Sequence, residues 1–94
     1  MTREEAVLFF AKKVVNNGNF KNGHGCLVPS YYANDPESEY SKASDILVEA
    51  FDATHFDHDW IDFRKGLVRL TLYKGDSFGA CLEVKKIQEI EVTI

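Results

Sequence analysis

The sequence predicts an α+β fold: two N-terminal helices packed on one face of a C-terminal antiparallel β-meander of about four strands. Three observations predict it. Apolar residues recur at helical spacing up to about residue 53, the period changes to two from Trp60 onward, and tight connections join the later segments. With 94 residues, the chain forms a single domain spanning 1–94. A chain of that length buries about 60% of the surface its unfolded form exposes, enough for a core without disulfide staples. A content of 45% hydrophobic and 13% aromatic residues excludes a disordered tail.

Taken in order, Thr2-Arg3-Glu4-Glu5 has the form of a capping box, in which the Thr2 hydroxyl accepts from the Glu5 amide and Glu5 reaches back to the first backbone donor. Val7, Phe10 or Ala11, and Val14 follow at helical spacing, Lys12 and Lys13 sit where the helix dipole favours cations, and Gly18 supplies a stop. Helix one is therefore expected over 3–16. Residues 17 to 35 have no sustained period and are rich in Asn and Gly, so they form a loop, with a short strand at Cys26 to Val28 ended by Pro29. Asp35-Pro36-Glu37 places an N-cap acid before a proline at the first helical position, and Tyr40, Ala43, Leu47, Ala50 and Phe51 share a face, giving a second helix over 36–53. Asp45, Glu49 and Asp52 are expected on its solvent side.

The strands follow from the alternation of Ile61 and Phe63, of Val68, Leu70 and Leu72, of Phe78, Ala80, Leu82 and Val84, and of Ile90, Val92 and Ile94. A three-residue loop near Gly75 would pair Leu72 with Ala80, Leu70 with Leu82 and Val68 with Val84 on a single face, as a one-sided core requires.

Several function classes lose support at once. The longest apolar run, Ala6 to Ala11, is too short to span a bilayer, and the acidic start is unlike a secretory signal, so a cytoplasmic protein without a membrane partner is expected. Cys26 and Cys81 are then expected as free thiols. No phosphate-binding glycine motif is present. Direct nucleic-acid binding is opposed by charge: the net charge is −4, and residues 35–62 hold nine acids against one lysine, a local net of −8.

The densest chemistry lies in "THFDHDWID", residues 54–62. His55 and His58 are three apart, which on a continuing helix would turn both imidazoles to one side, with Asp57, Asp59 or Asp62 as oxygen ligands. Metal ligation needs a third converging donor, and no metal or other cofactor is assigned. His24 and Cys26, two apart in "GHGC", share a side of an extended segment, but a thiolate nucleophile also needs an orienting group and an oxyanion hole that spacing does not show, so no catalytic residue is assigned.

The remaining pattern is aromatic residues interleaved with carboxylates. It leads to a partner-binding set of Tyr32, Asp45, Glu49, Asp52, Phe56, Asp57, Asp59 and Trp60, with the acids steering and the rings anchoring a basic protein partner, such as a nuclease or another nucleic-acid-binding protein. In size and charge alone the chain resembles nuclease immunity proteins and phage-encoded DNA-mimic inhibitors. Two alternatives stand beside this expectation. One is a small-ligand site or a Cys/His-dependent enzyme whose pocket gathers His24, Cys26, His55 and His58; the other is an oligomeric accessory protein, a homodimer joined through the C-terminal edge strand.

Overall fold

In the computed structural model, residues 1–17, 24–80 and 83–94 are described. Helix α1 (Arg3–Lys12) starts as its sequence requires: the Thr2 hydroxyl accepts from the Glu5 amide at 3.1 Å, and the Glu5 carboxylate accepts from the Thr2 amide at 3.0 Å. At Lys13 the backbone tightens to an i→i−3 bond with the Phe10 carbonyl, and a short α2 (Val14–Asn17) completes the expected first helix. Strand β1 (Gly25–Cys26) ends before the expected Val28.

The second long helix, α3 (Glu39–Phe51), begins three residues later than Asp35-Pro36 suggests. The effective cap is Ser38, whose hydroxyl accepts from the Ser41 amide, while the Ser41 hydroxyl donates back to the Asp35 carbonyl and closes the preceding turn. Asp52 ends the helix in the left-handed conformation with φ 56°.

Strands β2 (His55–Asp62), β3 (Leu67–Lys74) and β4 (Lys85–Thr93) complete an antiparallel sheet of order β1-β2-β3-β4. The fold class is as expected, but the strand boundaries differ in two places. Strand β2 starts five residues before Trp60, so all of "THFDHDWID" but Thr54 is strand rather than a continuing helix. Phe78 to Ala80 are not strand, and the partner of β3 is β4: Leu72 lies opposite Gln88, Leu70 opposite Ile90 and Val68 opposite Val92. The expected pairing of Leu72 with Ala80 is thereby replaced. The Gly18 stop, Cys81 and the Leu82 pairing fall outside the described residues.

Register divides the sheet's two faces. Phe56, His58 and Trp60 on β2 align with Leu72, Leu70 and Val68 on β3 and with Gln88, Ile90 and Val92 on β4, making the inner face. Onto it pack Ala6, Val7 and Phe10 of α1 and Ala43 and Leu47 of α3. The Phe10 ring sits 4.6 Å from that of Phe56 and 5.2 Å from that of Tyr40, within the range where aromatic pairs add to area burial. Tyr40 also ties α3 to β1, its hydroxyl donating to the Cys26 carbonyl at 2.6 Å, and burial pushes that phenol up to about 12. A smaller cluster of Ala11, Val14 and Val68, flanked by Trp60 and Ile94, closes the other end.

His58 is fully buried in the middle of this inner face. Burial holds its imidazole below the ordinary value, more than its own backbone and the Asp57 and Asp59 carboxylates raise it. The imidazole is therefore neutral at pH 7 and packs as a core ring.

Two predictions follow from this packing. Gly66, at φ +68° in the β2–β3 turn, donates to the Phe63 carbonyl and accepts from the Ile94 amide, and an added Cβ would lie 2.8 Å from the Ile94 carbonyl oxygen. Gly66→Ala is expected to lower stability by about 1–2 kcal/mol from backbone conformation alone, seen as a lower urea midpoint at unchanged slope. The second concerns pH. An unfolded histidine titrates near 6.5 and folded His58 titrates lower, so the unfolded state binds the extra proton and stability, full above about 6.5, falls as pH drops from there toward the folded value. Melting temperature should decline over that window in the wild type and stay flatter in His58→Leu. Loss below about 4.5, where the lowered carboxyls of Glu5 and Glu89 lose their bonds to Thr2 and Lys86, should persist in both.

Candidate functional site

Alternation along β2 that sends Phe56 and His58 inward sends His55, Asp57 and Asp59 to the opposite, outer face. Three residues apart means one side of a helix but opposite sides of a strand. His55 and His58 therefore do not share a site. Among the described residues, no three His, Cys, Asp or Glu side chains converge on a metal-sized position.

His55 has a different occupation. Its Nε2 lies 2.6 Å from the Gly79 carbonyl and its Nδ1 2.7 Å from the Thr54 hydroxyl, which in turn accepts from the Gly75 amide at 2.7 Å. A carbonyl only accepts, so Nε2 carries a proton and donates, and in the neutral ring Nδ1 accepts from the Thr54 hydroxyl. This buried relay pins residues 75–79 to the start of β2. Cys26, the residue directly opposite His55 in the sheet, thus faces an imidazole with both nitrogens engaged, and the His24 ring packs tilted against Tyr73 with centroids 4.0 Å apart. His24, Cys26, His55 and His58 are not gathered in one pocket, because His58 lies beneath the sheet.

A second clamp acts from α3. The Ser44 hydroxyl accepts from the Val28 amide at 3.1 Å, and Asp45 accepts from the Ser30 amide at 2.7 Å. Asp45, expected as free surface charge, is instead half-buried and holds a loop. The two clamped loops meet at their tips, where Tyr31 and Tyr32, 76% and 59% exposed, approach Phe78 with ring centroids 6.1 and 5.9 Å apart. The result is a three-ring patch in which Tyr31 and Tyr32 are exposed and the half-buried Phe78 connects them to the core. Phe78 was hidden from the sequence by an alternation that mimics a strand.

The other expected residues are dispersed. Glu49 is exposed on α3. Asp52 caps that helix and pairs with Lys74 at 2.8 Å, an exposed ion pair of small energetic weight. Phe56, expected as an anchor, is 2% exposed and belongs to the core. Trp60 is half-buried against Phe63 at 4.9 Å, at the end of β2 remote from His55 and the Tyr32 patch. The helix acids and the strand acids of the expected set consequently lie on different layers.

What is formed is an acidic outer sheet face. Asp57, Thr71 and Glu89 make one cross-strand row, and Asp59, Arg69 and Glu91 the next. Arg69 donates to Asp59 at 3.3 Å and Lys86 to Glu89 at 3.0 Å, so among the described residues of this face there are more carboxylates than cations. Glu89 and Glu91 were outside the sequence-derived set, although their alternation with Ile90 and Val92 marks them as outward.

No described helix is long and apolar enough to cross a membrane. No family model, curated protein or solved structure matches the chain.

The clamp is testable. Thr54→Val leaves both the Gly75 amide and His55 Nδ1 without their buried partner, at about 1–3 kcal/mol for each group. Amide exchange over residues 75–79 should accelerate in this variant, while Thr54→Ser, which keeps the hydroxyl, should resemble the wild type.

Proposed function

We propose that the chain is a non-enzymatic binding protein that occupies a basic protein partner, in the manner of an inhibitor or immunity-type protein directed at a nucleic-acid-handling target. The outer sheet face carries this reading: Asp57, Asp59, Glu89 and Glu91 stand on neighbouring strands against Arg69 and Lys86, and no described helix lies over them. A patch of one charge sign raises the encounter rate with an oppositely charged surface and disfavours like-charged partners. The Tyr31, Tyr32 and Phe78 patch adds ring area of the kind that dominates binding energy at protein interfaces.

Compared with the set expected from the sequence, the reading keeps the sign of the partner and moves the contact. Asp57 and Asp59 stay, Glu89 and Glu91 join them, Tyr32 remains an anchor, and Phe56 leaves. A pocket enzyme built on Cys26 gains no support from a neighbouring imidazole whose nitrogens are both bonded.

Affinity capture on the immobilised protein tests this reading. A basic partner should be retained at about 50 mM salt and released by about 500 mM, where the Debye length falls from more than 10 Å to a few ångströms. Capture should also weaken in Asp59→Asn/Glu89→Gln/Glu91→Gln. Retention indifferent to both salt and these substitutions would remove the electrostatic reading.

A further inference from the structure

We propose that the outer edge of β4 is a strand-addition site for an extended segment of the partner whose side chains alternate between apolar and cationic. This rests on the basic-partner reading and specifies how that partner is held. Among the described residues β4 pairs only with β3, so its other edge presents backbone donors and acceptors along nine residues. The half from Lys85 to Ile87 is guarded by two lysines and a register shift opposite Leu72 and Tyr73, devices that discourage edge pairing. The half from Gln88 to Thr93 has no such interruption.

The sheet surroundings of that open half define the chemistry of its occupant. On the inner side, α1 and α3 leave β4 incompletely covered, and a groove of about 450 Å³ runs beside it. Val7, Phe51, Ile90 and Val92 supply its apolar lining, and Arg3, Glu4, Gln88 and Glu91 its polar part. An added strand would lie about 4.8 Å from β4 and place every second side chain over this groove. Its remaining side chains would stand on the outer face beside Glu89 and Glu91, at the distance where opposite charges stabilise a cross-strand pair. Arg69, the cross-strand neighbour of Glu91, is engaged with Asp59, and Lys86 with Glu89. A cation from the partner therefore finds its strongest complement at Glu91.

The same charges argue against a second copy of the chain as occupant. The antiparallel register that pairs all nine residues of β4 with their counterparts sets Glu89 against Glu89 and Glu91 against Ile87. Like charges directly opposite destabilise a sheet pair.

A capped peptide of alternating lysine and valine is the probe, followed by amide exchange on the full chain. The peptide should bind saturably and slow exchange in residues 88–93. N-methylation of one alternate set of its amides should weaken binding more than about tenfold, whereas methylation of the other set should not, because only one edge of an added strand faces β4. Glu91→Lys should weaken the unmethylated peptide to a similar degree. Equal tolerance of both methylated sets, or no peptide binding while a basic partner is still captured in a salt-dependent way and unaffected by Glu91→Lys, overturns strand addition and leaves the basic-partner reading standing. A dimer of the chain alone with protected β4 amides assigns the edge to a second copy and also overturns it. Salt-indifferent capture of the partner, by contrast, strikes the underlying reading.

Discussion

The parity of β2 is the constraint on which the rest of the molecule depends. With Phe56, His58 and Trp60 inward, the strand supplies a row of the core; with His55, Asp57 and Asp59 outward, it supplies the loop clamp and half of the acidic face. A slip of one residue would put two carboxylates under α1 and expose Phe56, losing several kcal/mol through buried charge and lost apolar burial together. The register is thus defended from both faces. It explains why an imidazole occupies a core position: neutral His58 completes the inner row between Leu70 and the helices, and the field of its flanking aspartates does not offset the cost of charging it there.

Helix coverage of the sheet is uneven, and the proposed edge site lies where it is thinnest. Val68, Leu70 and Leu72 of β3 are completely buried, while Ile90 and Val92 of β4 are only half-buried and the rest of that strand is exposed. Two helices of ten and thirteen residues cover the middle of a sheet that extends beyond them, leaving β4, among the described residues, with one bonded edge, one open edge and a groove beneath. The irregular segments are treated differently. Residues 27–33 and 75–79 carry the exposed rings, yet Ser44, Asp45, Thr54 and His55 tie their backbones down. Holding them in advance lowers the ordering cost that an exposed aromatic patch would otherwise meet on binding.

The elements legible in the sequence are those decided locally. The Thr2 and Glu5 cap, the helical spacing through Val14, and the alternation of Val68, Leu70 and Leu72 each depend on neighbours within a few residues. What was not legible depends on partners far along the chain. Phe78 and Ala80 alternate like a strand, but the Gly79 carbonyl is claimed by His55, twenty-four residues earlier, and the backbone is held as a loop. Asp45 has the spacing of a solvent-facing helix residue, and the Ser30 amide that engages it lies fifteen residues away. The start of β2 was obscured for a chemical reason: histidine counts as polar in a periodicity, and only burial makes His58 behave as an apolar ring. Charge composition located an acidic third of the chain but not its faces, because α3 and β2 present their acids on opposite layers.

Magnitudes divide the labour between charge and contact. The ion pairs on the outer face are partly exposed, and pairs of that kind contribute about 0–1 kcal/mol, so in the proposed reading the outer-face carboxylates set the sign and speed of an encounter more than its strength. Strength has to come from groups that lose water on association. The molecule offers two of these, the rings at the loop tips and the β4 edge, whose backbone hydrogen bonds are indifferent to the partner's side chains. An edge alone would accept any extended segment. Beside Glu91 on one side and a groove with the apolar side chains of Val7, Phe51, Ile90 and Val92 on the other, the proposed site would discriminate: an acidic segment meets repulsion outside, and a uniformly polar one leaves those side chains uncovered. Selectivity of this kind needs no dedicated pocket, only a strand whose two faces differ in chemistry, and the parity of the sheet imposes that difference on β4 as it does on β2.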